Sequence, residues 1–407
     1  MDREQAEARF LRWLCDHGAS FPKVQWPVTT PNGLRGATAL EPIATNEVIL
    51  SIPRALMISE ETCWSDPELG PVYDENRDVF TRDDPVLALF LTRELAKGDT
   101  SFYAPYLSIL PEVVNVQDWT DDERAELRDR TLEDAAERRI NEVATFYERI
   151  MHRLEPKYPG RFPRSSYSFA RFRFAWKTIQ ARTFGRRLPW TALVPFADCL
   201  NHANVATKYD FDVDGNGMFR LYPSAGNAYA QGMEVFNSYG RRPNFQLLLD
   251  YGFALTDNEW DFVDVALPSD ASRLLGKRFP FKRTIRLDRQ TSLAALFPAR
   301  LFSAENQSVR DGEVETRAEA LTWFKSVLVS AFDAFDCSMD SDESDMNDET
   351  IPERTRVAII YRRGRMQILM EHIRAIDSEL REMALLDKTS HQLEELALNS
   401  TPQEVDL

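Results

Sequence analysis

The sequence predicts an α+β protein, with a small β-sheet domain interrupted by a helical insert and followed by an all-helical C-terminal domain. Three observations carry this expectation. Short β-rich stretches punctuated by glycine and proline fill residues 21–60 and 190–255. A helical periodicity separates them, from about 66 to 182, and two longer helical patterns follow beyond about 270. The implied segments are 1–65 (an N-terminal helix and the first part of the β-domain), 66–180 (the insert), 181–265 (the second part) and 266–407 (the helical tail).

In order, Phe10, Leu11 and Leu14 share one face of a short helix that Gly18 ends. Gly33 and Gly36 then mark a turn before Glu47-Val48-Ile49-Leu50-Ser51-Ile52-Pro53, a strand that proline stops. Inside the insert, Leu132, Ala136, Ile140, Val143, Tyr147, Ile150 and Leu154 step by three or four, and Thr120-Asp121-Asp122-Glu123 reads as the capping box that starts this helix. A second helix carries Phe169, Phe172, Trp176 and Ile179 and runs into the irregular tract Arg182-Thr183-Phe184-Gly185-Arg186. Asp214-Gly215-Asn216-Gly217 is a hairpin turn ahead of Met218–Tyr222, and a helix runs from Asn244 to a stop at Gly252. Helical patterns over roughly 315–336 and 353–386 bracket an acidic, Ser-rich run, Ser338 to Asp345, expected to be an exposed loop.

Composition narrows the function classes. At 407 residues the chain holds about two to three domains, which excludes a peptide hormone or a lone binding module. Its 8 Trp and 25 Phe supply enough apolar bulk for cores, which excludes wholesale disorder. No apolar run approaches the roughly 18 residues of a membrane span. The start Met1-Asp2-Arg3-Glu4-Gln5 lacks a signal-peptide layout, so the expected location is cytoplasm, nucleus or both. Cys15, Cys63, Cys199 and Cys337 lie far apart without a CxxC pair, which argues against a disulfide framework or structural zinc and for a reducing compartment. The formal charge of -16 disfavours nucleic acid and suits a basic protein partner.

Two segments stand out chemically. In Leu193-Val194-Pro195-Phe196-Ala197-Asp198-Cys199-Leu200-Asn201-His202, polar side chains sit inside an apolar sequence, and burying them without partners is costly. A satisfied polar network in a core would explain them as well. A metal reading of Asp198 and His202 lacks further ligands, because His17, His152, His372 and His391 fall in helical patterns elsewhere. A hydrolase reading lacks a GxSxG elbow, and Cys199 reads as a small core residue. The second segment, Glu234-Val235-Phe236-Asn237-Ser238-Tyr239-Gly240, puts a phenol at a strand end, and Tyr251 and Phe253 return nearby if the following helix folds back. An aromatic-walled slot would result; ordinary core and turn aromatics are the alternative.

The order of three pieces, Asn32-Gly33-Leu34-Arg35-Gly36 leading to Glu47–Pro53, then Asp198–His202, then Glu234–Gly240, resembles the SET-domain protein methyltransferases. The long insert, Arg182–Arg186, Leu249-Asp250-Tyr251-Gly252-Phe253 and the tail with Tyr361-Arg362-Arg363-Gly364 are similar to the Rubisco large-subunit methyltransferase subgroup, so the likeness spans most of the chain. It implies a SET-type β-domain with a C-terminal substrate-binding domain, and S-adenosylmethionine as methyl donor with no metal. The implied cofactor residues are Asn32, Gly33, Leu34, Arg182, Asn201, His202, Tyr239 and Phe253, with Tyr239 also catalytic. Phe184, Arg186, Asp198 and Tyr251 would line the acceptor side beside Arg182. Tyr209 and Phe211 compete for one further aromatic acceptor position, and Tyr209 is carried as the candidate. Some relatives have an acidic residue where Asn32 stands and a hydroxyl residue where Gly185 stands.

The expected activity is methylation of a lysine side chain in a protein, non-histone in the first reading, by a monomer whose tail helps select the partner. A basic partner, such as a ribosomal or histone-like protein, would suit the acidic surface. The alternatives are a catalytically silent interaction module on the same fold and a protein-histidine methyltransferase.

Overall fold

The carboxylate of Asp2 accepts the Gln5 N–H at 2.8 Å and so caps the first helix, α1 (Arg3–Asp16), which buries Phe10, Trp13 and Leu14. It stops where Gly18 takes a φ of 86°, a region that favours glycine. The computed structural model describes residues 2–30, 33–185, 187–268, 284–296, 317–348 and 350–399. Two compact units divide the chain: Met1–Trp119, Arg130–Arg242 and Gln246–Phe253 form the first, and Thr120–Asp129, Pro243–Phe245 and Ala254–Leu407 the second.

In the first unit, β1 (Val24–Thr29) and β2 (Arg35–Ala39) make an antiparallel ribbon. Then come β3 (Leu50–Pro53), β4 (Ile58–Ser59) and the helices α2 (Asp83–Lys97), α3 (Ala104–Leu107), α4 (Arg130–Lys157) and α5 (Phe169–Arg182). The short strands β5 (Thr183–Phe184) and β6 (Ala192–Leu193) follow, and β7 (Thr207–Phe211) and β8 (Met218–Pro223) close the predicted hairpin. Pairing across the insert ties the two halves together. Ile52 on β3 faces Phe219 on β8, and Ile58 on β4 faces Leu193 on β6. The resulting sheets have the orders β3-β8-β7 and β4-β6-β5. A single apolar core runs through ribbons and insert, with Trp26, Trp176, Phe196 and Phe219 among its members.

In the second unit, β9 (Phe262–Ala266) and β10 (Thr284–Asp288) pair antiparallel, so the tail expected to be wholly helical also carries a ribbon. Val263, Val265, Ile285 and Leu287 turn inward against α6 (Arg317–Asp333) and α8 (Glu353–Asn399), an alternation of inward and outward residues that two short strands hide from a helical reading. The run expected as an exposed loop is instead a helix, α7 (Met339–Met346). Ser338 caps it by accepting the Ser341 N–H at 2.9 Å, and Asp340 and Asp342 sit at the positive end of its dipole. Asp342 is buried because Arg362 on α8 donates Nε–H to both of its oxygens at 3.1 Å, and a charge so paired no longer needs solvent. Ser338→Ala is expected to cost about 1 kcal/mol, read as a lower midpoint in thermal or urea unfolding, whereas a free loop would show no change.

The Thr120 capping box forms, with Glu123 N–H to Thr120 Oγ1 at 3.2 Å and Thr120 N–H to Glu123 Oε2 at 2.8 Å. It starts only the short helix Asp121–Ala125, because Arg128 takes a φ of 51° and the backbone must restart helically at Arg130. The face predicted for α4 is otherwise the buried one, with Leu132, Ala136, Val143, Tyr147, Ile150 and Leu154 inside. No helix among the described residues is long and apolar enough to cross a membrane.

Candidate active site

Phe196 turns the chain into the first chemical segment with a φ of 73°, unusual for a bulky residue, and its ring is held at 4.0 Å from that of Phe21. The turn Ala197–Cys199 and the strand-like step to His202 then cross the segment 234–240. His202 bridges Asn237 in parallel, and Asn237 N–H donates to the Asn201 carbonyl at 2.9 Å. Tyr239 is fastened twice. Its N–H donates to His202 Nδ1 at 3.1 Å and its hydroxyl to the Leu200 carbonyl at 3.0 Å. Segments that are 37 residues apart in sequence thus meet at one point.

The aromatic slot is present. The Tyr239 ring lies between those of His202 (4.9 Å, 17°) and Tyr251 (5.0 Å, 25°), and Phe253 stands 6.1 Å from both His202 and Tyr251. The helix that returns Tyr251 is π-helical over Leu247–Tyr251, a local widening often found at functional sites. It ends at Gly252, φ 89°, whose N–H donates to the Leu247 carbonyl at 2.8 Å.

A cavity of about 260 Å³ opens beside Tyr239, walled by Arg182, Phe184, Asp198, Tyr209 and Tyr251 among the predicted acceptor residues. Tyr209 takes the wall position rather than Phe211. Both point to one face of β7, but Phe211 lies farther along and packs on Trp190 at 5.1 Å, while Tyr209 meets Phe184 at 5.4 Å. Sequence reasoning missed the wall residues Thr191, Asn237, Ser238 and Arg242, the last holding the Tyr239 carbonyl through Nε–H at 3.1 Å. Only the position of Arg242 just after the Ser-Tyr-Gly turn hinted at it.

The other predicted residues cluster differently. Asn32 and Arg186 lie outside the described residues. Gly33 takes a φ of 73° in the β1–β2 turn, and the Leu34 side chain beside it is 59% exposed. Gly36 lets β2 approach the 201–202 segment, since an added Cβ would lie 2.7 Å from Glu234 Oε1 and 2.9 Å from Asn201 Nδ2. Asn201 Nδ2 donates to the Arg35 carbonyl at 3.2 Å and to Glu234 Oε1 at 2.8 Å. Both partners are acceptors only, so the amide can face them in one way, and its oxygen must point elsewhere. Asn201, His202 and Phe253 are not in the cavity wall; His202 stacks on Tyr239, with Phe253 beside the imidazole.

The electrostatics fix protonation states. Burial pushes the His202 imidazole below its ordinary value, so it is neutral at pH 7. Nδ1 lies 3.1 Å from the Tyr239 N–H, which can only donate, and 3.3 Å from the Asn237 carbonyl, which can only accept; the shorter contact favours Nδ1 as acceptor, with the ring proton on Nε2. That buried Nε2 has no protein partner among the described residues. Burial raises the Tyr239 phenol well above its ordinary value, and the hydroxyl proton is committed to Leu200. Burial likewise raises the Cys199 thiol, leaving it an unreactive core residue as the sequence suggested. Asp198 is pushed up by burial and pulled back by Arg182 and Tyr106. No group of three His, Cys, Asp or Glu side chains among the described residues is arranged to hold a metal ion.

One expected outcome follows for His202. Its folded form resists protonation while the unfolded chain takes a proton near pH 6.5, so the unfolded state binds more protons and stability falls as the pH drops below that value. His202→Asn should remove this share of the acid destabilisation in melting curves taken across that range.

The fold has solved counterparts. Rubisco LSMT bound to AdoMet superposes with a TM-score of 0.63 at 20% identity, covering 98% of this chain and 97% of that one. The SET domain of LSMT bound to lysine and AdoHcy gives 0.66 at 19%, over 98% of both chains. This is a SET-domain fold of the Rubisco LSMT type. The sequence relatives are protein methyltransferases. The chain is 30% identical over 259 residues to the chloroplastic [fructose-bisphosphate aldolase]-lysine N-methyltransferase of Arabidopsis thaliana, covering 60% of this chain and 51% of that protein. It is 27% identical to the N-lysine methyltransferase SETD6 of Bos taurus (71% and 66%) and 26% identical to the actin-histidine N-methyltransferase of Mus musculus (65% and 45%). The chain therefore spans about half to two thirds of the length of these curated relatives. No family model matches it.

Proposed function

We propose that this protein transfers a methyl group from S-adenosylmethionine to the side-chain nitrogen of a lysine in a protein substrate, a non-histone protein in the first instance. The observation that carries the reading is Tyr239, stacked between His202 and Tyr251 and anchored to Leu200, at the end of a cavity about 260 Å³ in volume. Two of the relatives named above are lysine N-methyltransferases, which favours lysine; the actin-histidine relatives make histidine the second reading.

The residues present suit the methyl donor. Asn201, with its amide nitrogen engaged, offers Oδ1 to an ammonium group, and the buried His202 Nε2–H is a donor in search of an acceptor. Phe253 places an aromatic ring beside His202 that suits a flat heterocycle, and Arg182, paired with Asp198, lines the cavity. When bound, S-adenosylmethionine supplies a methyl group activated by a sulfonium. The acceptor nitrogen would form its bond to carbon as the C–S bond gives way, the electron pair remaining with sulfur. The chain's own task is alignment and exclusion of water. The amine must first give its proton to solvent, and the apolar walls at Phe184, Tyr209 and Tyr251 favour its neutral form. The Tyr239 hydroxyl, donating to Leu200, keeps its oxygen lone pairs available to orient the nitrogen and is no base.

The helical tail as a substrate-binding element, a basic partner, a monomeric state and a cytoplasmic or nuclear location belong to the same reading. The charge of -16 supports the partner, and the four free thiols support a reducing location. A labelled-donor assay on fractionated extract, with mass spectrometry of the labelled band and amino-acid analysis of the product, tests the proposal. Methyl-lysine in a basic protein is expected; label on histidine, or none at all, rejects it.

A further inference from the structure

Asp198 lies in the cavity wall, yet its side chain is only 1% exposed, and a carboxylate at that depth needs partners. Arg182 supplies one, donating Nη1–H to the Asp198 carbonyl at 2.9 Å and to Oδ2 at 3.3 Å. The shorter bond to the carboxylate comes from a residue with no place in the cavity wall. Tyr106 on α3, 92 residues away in sequence, donates its hydroxyl to the same Oδ2 at 2.8 Å. Its ring is fully buried, 6.0 Å from that of Phe10, so the hydroxyl has little freedom to move. Oδ1 meets the weakly polar thiol of Cys199, at 3.8 Å.

We propose that Tyr106 is a positioning residue of the acceptor site: by holding Oδ2, it fixes the ionised Asp198 carboxylate, and with it the stretch of acceptor wall that Asp198 forms beside Arg182. The arrangement answers a chemical difficulty. A carboxylate at that depth with no shared charge would take up a proton and leave Arg182 unpaired, whereas one shared with a hydroxyl and a guanidinium stays ionised and keeps the wall in one shape. The groups facing Asp198 are Tyr106 from α3, Arg182 from α5, its neighbour Cys199, and Tyr239.

The proposal rests on the methyl-transfer reading for its kinetic test but not for its thermodynamic one. In Tyr106→Phe, S-adenosylmethionine affinity by calorimetry should stay within about twofold, while kcat/KM for the acceptor falls by about tenfold and its acid limb moves to higher pH. The variant should also melt below the parent by a margin that grows from acid to neutral pH. Burial has already raised the Asp198 carboxyl, and losing the Tyr106 hydrogen bond raises it further. A folded state that binds the proton more tightly than the unfolded one loses stability as the pH rises through that range. A deficit independent of pH, with an unchanged acid limb, overturns the proposal and leaves Tyr106 a packing residue. If the parent transfers no methyl group, the functional reading fails, while the melting comparison still decides the coupling. Should Tyr106→Phe not fold, Asp198→Asn serves instead: acceptor KM and acid limb equal to the parent's would overturn the proposal, because Tyr106 acts only through that carboxylate.

Discussion

On the proposed function, Tyr239→Phe is expected to lower the methyl-transfer rate on the order of a hundredfold while the fold and S-adenosylmethionine affinity are retained. The phenyl ring still stacks between His202 and Tyr251, and the backbone N–H still donates to His202 Nδ1, so the crossing of the two segments survives. What disappears is the one oxygen held against the Leu200 carbonyl at the edge of the cavity. Without it the acceptor nitrogen has no fixed partner on that side, and small errors in an in-line displacement are expensive in rate. Because the phenol is not the base, the pH dependence of the surviving rate should match that of the parent. Steady-state rates across pH, with calorimetric binding of the donor, check this. A rate within a fewfold of the parent's would remove Tyr239 from the chemistry.

Gly252→Ala should abolish activity and destabilise the first unit by about 2–4 kcal/mol. Two independent causes add. The residue sits at φ 89°, where a side chain is strained, and an added Cβ would run into the carbonyl of Val114. That carbonyl cannot step aside easily, because the neighbouring loop is tied to the same turn: Gln117 Nε2 donates to the Leu249 carbonyl at 3.1 Å and Asn115 Nδ2 to that of Asp250 at 3.4 Å. Relief must therefore come from the π-helical turn, which carries Tyr251 and, just beyond, Phe253. Denaturant unfolding, together with the assay, reads both effects. A variant with parental stability would mean that the turn yields at little cost.

The candidate site was readable to different depths for reasons that can be traced. Asn201 and His202 stood out because polar residues in apolar surroundings carry a desolvation cost, and Tyr239 as a phenol at a strand end; those three do meet. Tyr106 gave no such signal: an aromatic residue in an aromatic-rich stretch, Ser101-Phe102-Tyr103-Ala104-Pro105-Tyr106, looks like core until its hydroxyl is seen on Asp198. The run from Ser338 to Asp345 misled for the opposite reason, since its acidity argued for solvent while Arg362, far along the chain, neutralised Asp342. The Thr120 box was real yet began a shorter helix than expected, because Arg128 leaves the helical region and no local pattern announces that.

By itself, the sequence determined the kinds of segment and their order: which stretches alternate, which step by three or four, where glycine and proline interrupt, and which polar side chains need partners. These are properties of neighbouring residues and travel with the chain. Only the tertiary structure decided the partners: Tyr106 for Asp198, Tyr209 rather than Phe211 in the wall, Arg362 for Asp342. Each of the two polar pairings is made by a hydrogen bond or ion pair a few ångströms long between residues 92 or 20 positions apart, and so short an interaction exists only once the intervening backbone has been brought back on itself.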